Sequence, residues 1–288
     1  MPLRSFPLAA DLESALAAGP WGLARAALLI CHIESPHLSL EPALATLDDF
    51  GQRAADAVAR SDSSVRSRLG AINHLLYDLE GFRGNDRRYD DIRNSLLTVV
   101  LERRLGIPVT LAVIYMTTGW AAGIEVLGVA FPGHFLMRVP LDAGDEGEAP
   151  LILDPFDRGR ELDRGSLETL LARHAGEHTR LDPDLLMPCT NRHIVVRMLN
   201  NMKRLYVGSR SFRQAWQVAD LLVALDGRRP EDLRDRGLIA YHLDEFPNAL
   251  VDLEAYLAMD DGPRHENEER RQVWEHVSAL RRRVATMN

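Results

Sequence analysis

The chain has 288 residues, of which 46% are hydrophobic and 26% charged, so one large or two ordinary folded domains are expected and wholesale disorder is not. Its net charge of -8 argues against sequence-wide nucleic-acid binding and against an anionic membrane as partner. No uninterrupted apolar run reaches membrane-spanning length, and residues 1–10 lack the apolar core of a secretory signal.

Residues 8–80 are predicted to be helical throughout. Apolar side chains recur there at helical spacing in two stretches, Leu44, Leu47, Phe50, Ala54 and Val58, then Val65, Leu69, Ile72, Leu76 and Leu79. Gly81 and Gly84 end the region with turn character. The pattern predicts about four helices, each burying one face.

The chain has two cysteines, Cys31 and Cys189. They form neither a zinc-ligand pattern nor a disulfide framework, so we expect the protein to be located in a reducing cytoplasm. We also expect no bound metal and no cofactor. Cys31 follows an apolar run with no nearby cation or helix start, so a buried structural thiol is expected.

Two helices are predicted next. Residues 92–105 form one, with Leu97, Leu101 and Leu105 on a single face. Pro108 fits the first turn of the second, where a missing N–H is harmless. That second helix, residues 109–122, is apolar nearly all round at its start, which is typical of a central, buried helix.

Three strands are predicted after it, at residues 125–131, 135–139 and 151–153. The connection 140–150 is acidic and glycine-containing, as expected of an exposed hairpin loop. A helix packed on such an antiparallel meander is an α+β unit.

Three short runs in this region carry candidate chemistry. They place a hydroxyl at a helix start (residues 106–112), His134 at a strand start and Asp154 at a strand end. This order is that of a cysteine-type triad of nucleophile, base and orienting carboxylate, with the cysteine missing.

A second candidate is the match to H-x-x-E-H formed by His174, Glu177 and His178. In inverted zinc peptidases this spacing puts two His on one helix face around a metal. Gly176 interrupts the motif near a predicted helix end, and short motifs match often by chance, so we favour no metal site.

The chain from Asn191 onward repeats with a period of 34 residues, which indicates tetratricopeptide-like helix pairs. Small and apolar residues recur at this offset: Leu199, Tyr206, Ala215, Ala219 and Leu222 match Leu233, Ala240, Ala249, Leu253 and Tyr256. A last helix, about residues 266–284, would cap the array.

The first helix of each pair lines the concave face, which predicts a peptide-binding surface of Arg197, Asn200, Arg204, Arg234, Tyr241 and His242. Arg and Tyr there suit an acidic or C-terminal carboxylate peptide. From Asn191 to Arg213 the chain is basic and has no Asp or Glu, and the alternative is that this basic run faces the protein's own core and stabilises docking.

Residues 69–257 resemble the SirB-type bacterial proteins, which join N-terminal helices and a transglutaminase-like core to tetratricopeptide repeats. The resemblance is carried by Arg93-Asn94-Ser95, by residues 101–108 (LERRLGIP), by Pro132-Gly133-His134-Phe135-Leu136, by Leu153-Asp154-Pro155-Phe156 and by Met198-Leu199-Asn200-Asn201. It implies an α+β, mostly helical fold: an N-terminal helical region (1–86) forming one unit with a papain-like core (87–190), then the repeats (191–288). In that core a central helix packs on a small antiparallel sheet.

The resemblance also assigns the triad positions. His134 and Asp154 match the family's His and Asp, and Thr110 aligns, within a residue or two, with the cysteine of active members. A thiolate forms readily at a helix start, whereas a Thr hydroxyl has a far higher pKa and needs a well-placed base.

We therefore favour a non-catalytic protein that binds a protein or peptide partner, with no nucleic-acid or membrane ligand. The alternatives are an acyl-transfer enzyme or amidohydrolase with a Thr110-His134-Asp154 triad, and a metallopeptidase using His174, Glu177 and His178.

Overall fold

The computed structural model describes residues 8–141, 149–176, 179–225, 229–259 and 268–285. Its α-helices are α1 (Leu8–Ala17), α2 (Gly22–Leu29), α3 (Glu41–Ala59), α4 (Val65–Asn73), α5 (Leu97–Arg103), α6 (Pro108–Ala121), α7 (Arg164–Ala175), α8 (Asn191–Gly208), α9 (Phe212–Leu225), α10 (Pro230–His242), α11 (Phe246–Ala258) and α12 (Glu268–Ala285). The strands are β1 (Arg83–Gly84), β2 (Leu105–Gly106), β3 (Leu127–Val129), β4 (Leu136–Val139), β5 (Leu151–Asp154) and β6 (Arg160–Glu161). The chain is therefore α+β and mostly helical, as predicted. Within these ranges, every helix is too short or too polar to span a bilayer.

The chain divides into two compact units. The core unit comprises residues 14–198, and the tail unit comprises residues 199–288 together with the segment that precedes Ser14. The division falls inside α8, between Met198 and Leu199.

The predicted helix over residues 92–105 is wrong in its first half. A 3-10 turn at Ile92–Asn94 is followed by a break, and α5 starts at Leu97. The break follows from Asn94, whose side-chain amide donates to the carbonyls of Arg88 and Tyr89 at 2.7 and 3.2 Å and so is held by the preceding loop. After α5, Arg104 adopts a left-handed conformation with φ 58°. The next residues form β2, which pairs in parallel with β1, a pairing that the sequence analysis missed.

Helix α6 is the central helix of the core unit, as the apolar pattern predicts. Most of its residues are buried, including the whole stretch from Pro108 to Met116. It lies so close to α3 that a Cβ added to Gly51 would stand 2.6 Å from the Cβ of Ala121. The sheet side is equally tight, since a Cβ on Gly119 would meet Val126 at 2.8 Å.

The sheet beside α6 is an antiparallel meander in the order β3-β4-β5-β6. The register pairs Met137 with Leu153 and Val139 with Leu151. One cluster of buried apolar side chains joins the sheet to α7: Val129, Phe131, Leu136, Ile152, Leu162, Leu167 and Leu171. The acidic hairpin loop predicted at 140–150 lies mostly outside the described residues.

The tail unit contains the part of α8 from Leu199 onward, then α9, the helix pair α10 and α11, and α12, in agreement with the repeat pattern. Small residues allow the helices of a pair to approach, because a Cβ on Gly237 would lie 2.8 Å from Leu253. A buried ion cluster links three of these helices. Arg236 of α10 donates to both oxygens of Asp252 in α11 at 2.7 Å and to Asp220 of α9 at 2.6 Å.

Candidate functional site

His134 is presented by a tight turn between β3 and β4. The His134 N–H donates to the Phe131 carbonyl at 3.1 Å across this turn. Pro132 precedes Gly133, whose φ of +67° is accessible to glycine, and this is the residue pattern of a type II turn. The turn therefore delivers the imidazole at the end of the sheet where β4 begins.

His134 and Asp154 form a hydrogen-bonded pair. Asp154 is the last residue of β5. It follows Leu153, which pairs with Met137 of β4, so the side chains of His134 and Asp154 are diagonal neighbours across these two strands. The imidazole Nε2 lies 2.9 Å from Asp154 Oδ1, and both side chains are about 10% exposed. The same oxygen accepts the Phe156 N–H at 2.8 Å, so the carboxylate also fixes the turn that follows β5.

Aromatic rings surround this pair. Phe156 meets the His134 ring edge-on at 6.1 Å, and Tyr89 in turn meets Phe156 at 6.1 Å. His174 of α7 stacks on His134 at 6.4 Å. This stacking requires Gly133, because a Cβ there would lie 2.3 Å from the His174 ring. His174 is thus placed beside the predicted His–Asp pair, a neighbour that its H-x-x-E-H context did not indicate.

The other members of that motif, Glu177 and His178, lie outside the described residues. Within the described ranges, no group of three or more His, Cys, Asp or Glu side chains could hold a metal ion.

Thr110 occupies the first turn of α6, but its hydroxyl is committed to the backbone. The side chain is 0% exposed. Its Oγ1 lies 2.9 Å from the Asn94 carbonyl and 3.0 Å from the Ile107 carbonyl, and it accepts the Ile107 N–H at 3.1 Å. Across the part of the chain that the structure describes, no hydrogen bond joins Thr110 to His134. The hydroxyl therefore acts as a structural link between the 92–94 turn and the start of α6.

Neither thiol stands at the start of α6. Cys31 is 2% exposed in the 3-10 turn Ile30–Ile33 that follows α2, and burial raises its pKa. Cys189 is half-buried, and burial raises its pKa to about 11. Both thiols are therefore protonated at neutral pH, the opposite of what a nucleophilic cysteine needs.

This protonation predicts slow alkylation of the native protein. At pH 8 only about one Cys189 thiol in a thousand is ionised, since its pKa lies about three units higher. Labelling by iodoacetamide should rise about tenfold for each pH unit up to about pH 11. Intact-mass spectrometry of timed samples measures it, with urea-unfolded protein as the control. Rapid labelling of one thiol at pH 7 in the folded protein would contradict the assignment of both as unreactive.

The tail unit contains a groove between α8 and α10 with a volume of about 400 Å³. Three of the six predicted peptide-binding residues, Asn200, Arg204 and His242, line it. Arg197 instead donates to the His134 carbonyl at 3.5 Å, within the core unit. Arg234 is engaged by Asp235 and by Glu269 of α12. Tyr241 meets the rings of Phe246 and His276 edge-on.

The groove also contains residues that the sequence analysis missed. Phe212 and His242 stack in parallel with ring centroids 4.5 Å apart. Lys203 is bridged by Asp232 at 3.3 Å and by Asp235 at 2.7 Å, so its charge is largely neutralised within the groove wall. Apolar side chains, including Val207 and Leu238, complete the lining. The feature of the sequence that could have indicated this part of the groove is Phe212, at the start of the second helix of the first repeat.

Comparisons with known proteins agree with this architecture. The sequence model of the transglutaminase-like superfamily matches residues 41–200, and that of a tetratricopeptide repeat family matches residues 202–281. A UPF0162 protein of Xylella fastidiosa (strain Temecula1) is 40% identical over 67% of this chain and 68% of its own length. A UPF0162 protein of Pseudomonas aeruginosa is 30% identical over 86% of this chain and 88% of its own. The F-box only protein 21 of Pongo abelii is 27% identical over 68% of this chain and 32% of its own length.

No solved structure gives a significant match. The bacterial relatives carry the name UPF0162, so the SirB-type assignment stays a prediction. The match over residues 41–200, together with the coverage and identity of the bacterial relatives, decides the family. The chain belongs to the transglutaminase-like UPF0162 family, with a C-terminal tetratricopeptide region.

Proposed function

We propose that this protein is a non-catalytic member of the transglutaminase-like superfamily that works by binding another protein, and that it does so in the cytoplasm. The observation that carries the proposal is the hydroxyl of Thr110. It is fully buried and hydrogen-bonded to the backbone. The resemblance aligns this position, within a residue or two, with the cysteine of active members. A side chain held in this way cannot reach a substrate carbonyl without breaking the start of the central helix.

The runner-up is an acyl-transfer enzyme or amidohydrolase in which Thr110 is the nucleophile, His134 the base and Asp154 the orienting carboxylate. The His134–Asp154 hydrogen bond of 2.9 Å favours it, because this is the base–orienter half of a triad. The contact between nucleophile and base does not support it, since the Thr110 hydroxyl donates to backbone carbonyls rather than to an imidazole nitrogen. The pair also has a structural role, because Asp154 holds the turn after β5 through the Phe156 N–H.

The binding surface that we favour is the groove between α8 and α10. It combines an apolar part, with Val207 41% exposed and Leu238 beside it, and a polar part with Asn200 and Arg204. Such a groove suits a peptide that inserts an apolar side chain and hydrogen-bonds through its backbone. The neutralisation of Lys203 by two aspartates weakens the preference for a strongly acidic peptide, so we propose an amphipathic segment that carries an acid at one end.

A matched pair of substitutions tests the groove. Val207→Glu places a charge in the apolar part, whereas Val251→Glu places the same charge on α11, at a side chain that is 68% exposed and outside the groove lining. Affinity capture from the native host with the full chain as bait, read by quantitative mass spectrometry, should lose its enriched partner with Val207→Glu and keep it with Val251→Glu. Equal capture by both variants would refute the groove as the binding surface.

A further inference from the structure

The core unit holds an exposed tryptophan in a fixed position. Trp21 is 64% exposed and ends the 3-10 turn Gly19–Trp21. This turn is anchored by Asn191, whose side-chain amide donates to the Gly19 carbonyl at 2.9 Å. A large apolar side chain exposed on an anchored turn is a frequent feature of binding surfaces, where tryptophan contributes much of the affinity.

A second tryptophan stands at right angles to the first. The rings of Trp21 and Trp120 are 6.5 Å apart with an interplanar angle of 73°. Trp120, in the last turn of α6, is fixed by donating its indole N–H to the Val126 carbonyl at 2.9 Å. Two perpendicular indoles offer two walls of an aromatic box, and the indole face attracts organic cations more strongly than any other side-chain ring.

Trp21 lines two cavities. The first, of about 360 Å³, is also lined by Met116, Trp120 and Glu125. The second, of about 330 Å³, is also lined by Leu47 and Asp48. Of the side chains that line them, Glu125 and Asp48 carry the charge, and both are negative.

The end of α6 lines the first cavity, and Arg68 offsets the partial negative charge there, so the two carboxylates supply the negative charge of the lining. Gly123 and Ile124 line the first cavity just beyond the C-terminus of α6, where the helix dipole leaves a partial negative charge. Arg68, which does not line either cavity, donates to the Gly123 carbonyl at 3.2 Å. Glu125 forms no ion pair with any described residue, so its carboxylate is available to a ligand.

We propose that Trp21 and its two flanking cavities form a docking site for a basic segment of a protein partner. Arg or Lys side chains of that segment lie against the indoles of Trp21 and Trp120 and direct their charges toward Glu125 and Asp48. The charge of the lining selects a cationic occupant over an acidic or purely apolar one. The site lies in the core unit and does not depend on the groove proposed for the tail unit.

The test uses the full chain and a fluorescein-labelled octapeptide amide of alternating arginine and glycine, followed by fluorescence anisotropy. Trp21→Ala should weaken binding about tenfold or more, as expected for a central aromatic contact. Trp274→Ala removes a tryptophan of similar exposure, 60%, from α12 and should leave the affinity unchanged. Binding should also weaken as salt rises. Val207→Glu in the tail groove should have no effect on this peptide.

Two outcomes would overturn the site. If Trp21→Ala binds the peptide as tightly as the wild type, the interaction is a general attraction to a protein of net charge -8. If Trp21→Ala is misfolded by circular dichroism, the double substitution Glu125→Gln with Asp48→Asn decides. A loss of about tenfold is then expected from two charge contacts, and an unchanged affinity rejects the proposal.

Discussion

Arg236→Ala should lower the free energy of unfolding of the tail unit by about 3–5 kcal/mol, the cost of breaking a buried ion pair from one side. The Asp252 and Asp220 side chains are each about 8% exposed, and that of Arg236 about 20%. Without the guanidinium, Asp252 loses the two charge-assisted hydrogen bonds that it accepts from Arg236, and Asp220 loses one. The three helices α9, α10 and α11 lose their shared link at the same time.

Urea unfolding followed by circular dichroism measures this effect. Arg271→Ala is the matched control, because Arg271 pairs with Glu268 on the surface of α12, with side chains 68% and 61% exposed. Its effect should stay within about 0.5 kcal/mol, as is usual for exposed pairs. If the two variants are equally stable, the Arg236 cluster is solvated and does not hold the repeats together.

Thr110→Val should destabilise the core unit by about 2–3 kcal/mol, because a buried donor and acceptor lose their partner. The change conserves volume, so no cavity forms. It removes the acceptor of the Ile107 N–H and the donor to the Asn94 carbonyl, both buried around a side chain with 0% exposure.

Thr118→Val on the same helix provides the opposite case. Thr118 is also 0% exposed, but its hydroxyl has no hydrogen-bond partner among the described residues. Replacing an unsatisfied buried hydroxyl by a methyl group should be neutral or stabilise the protein by up to about 1 kcal/mol. Thermal melting of both variants compares them directly. Equal losses of stability would mean that helix packing, not the Thr110 hydrogen bonds, controls the result.

The parts of the fold that the sequence predicted are those with a strong local signal. Helix α6 was predicted by its all-round apolar pattern after Pro108, and the sheet by three runs separated by turn residues. The first half of the helix predicted over residues 92–105 is wrong because the Asn94 side chain donates to two loop carbonyls, contacts that periodicity does not record. Strands β1 and β2 have two residues each, too few to produce a pattern.

The candidate site was predicted in part for the same reason. The order of His134 at a strand start and Asp154 at a strand end suffices to predict their hydrogen bond, because antiparallel strands bring these ends together. The hydrogen bond from the Thr110 hydroxyl to the Asn94 carbonyl could not be predicted, since it joins residues 16 positions apart in the chain. The Phe212–His242 stack and the Trp21–Trp120 pair each join distant segments, so neither was visible in the sequence.

If Thr110 is not a nucleophile, the core unit has no acyl-transfer activity, and a turnover assay measures this. The full chain is incubated with a glutamine-containing peptide and a primary amine, and ammonia release and amine incorporation are measured over several hours. We expect the wild type and His134→Ala to give the same rates as a heat-denatured sample. Turnover above that background in the wild type, lost in both His134→Ala and Thr110→Val variants that remain folded, would contradict it and establish the Thr110-His134-Asp154 enzyme instead.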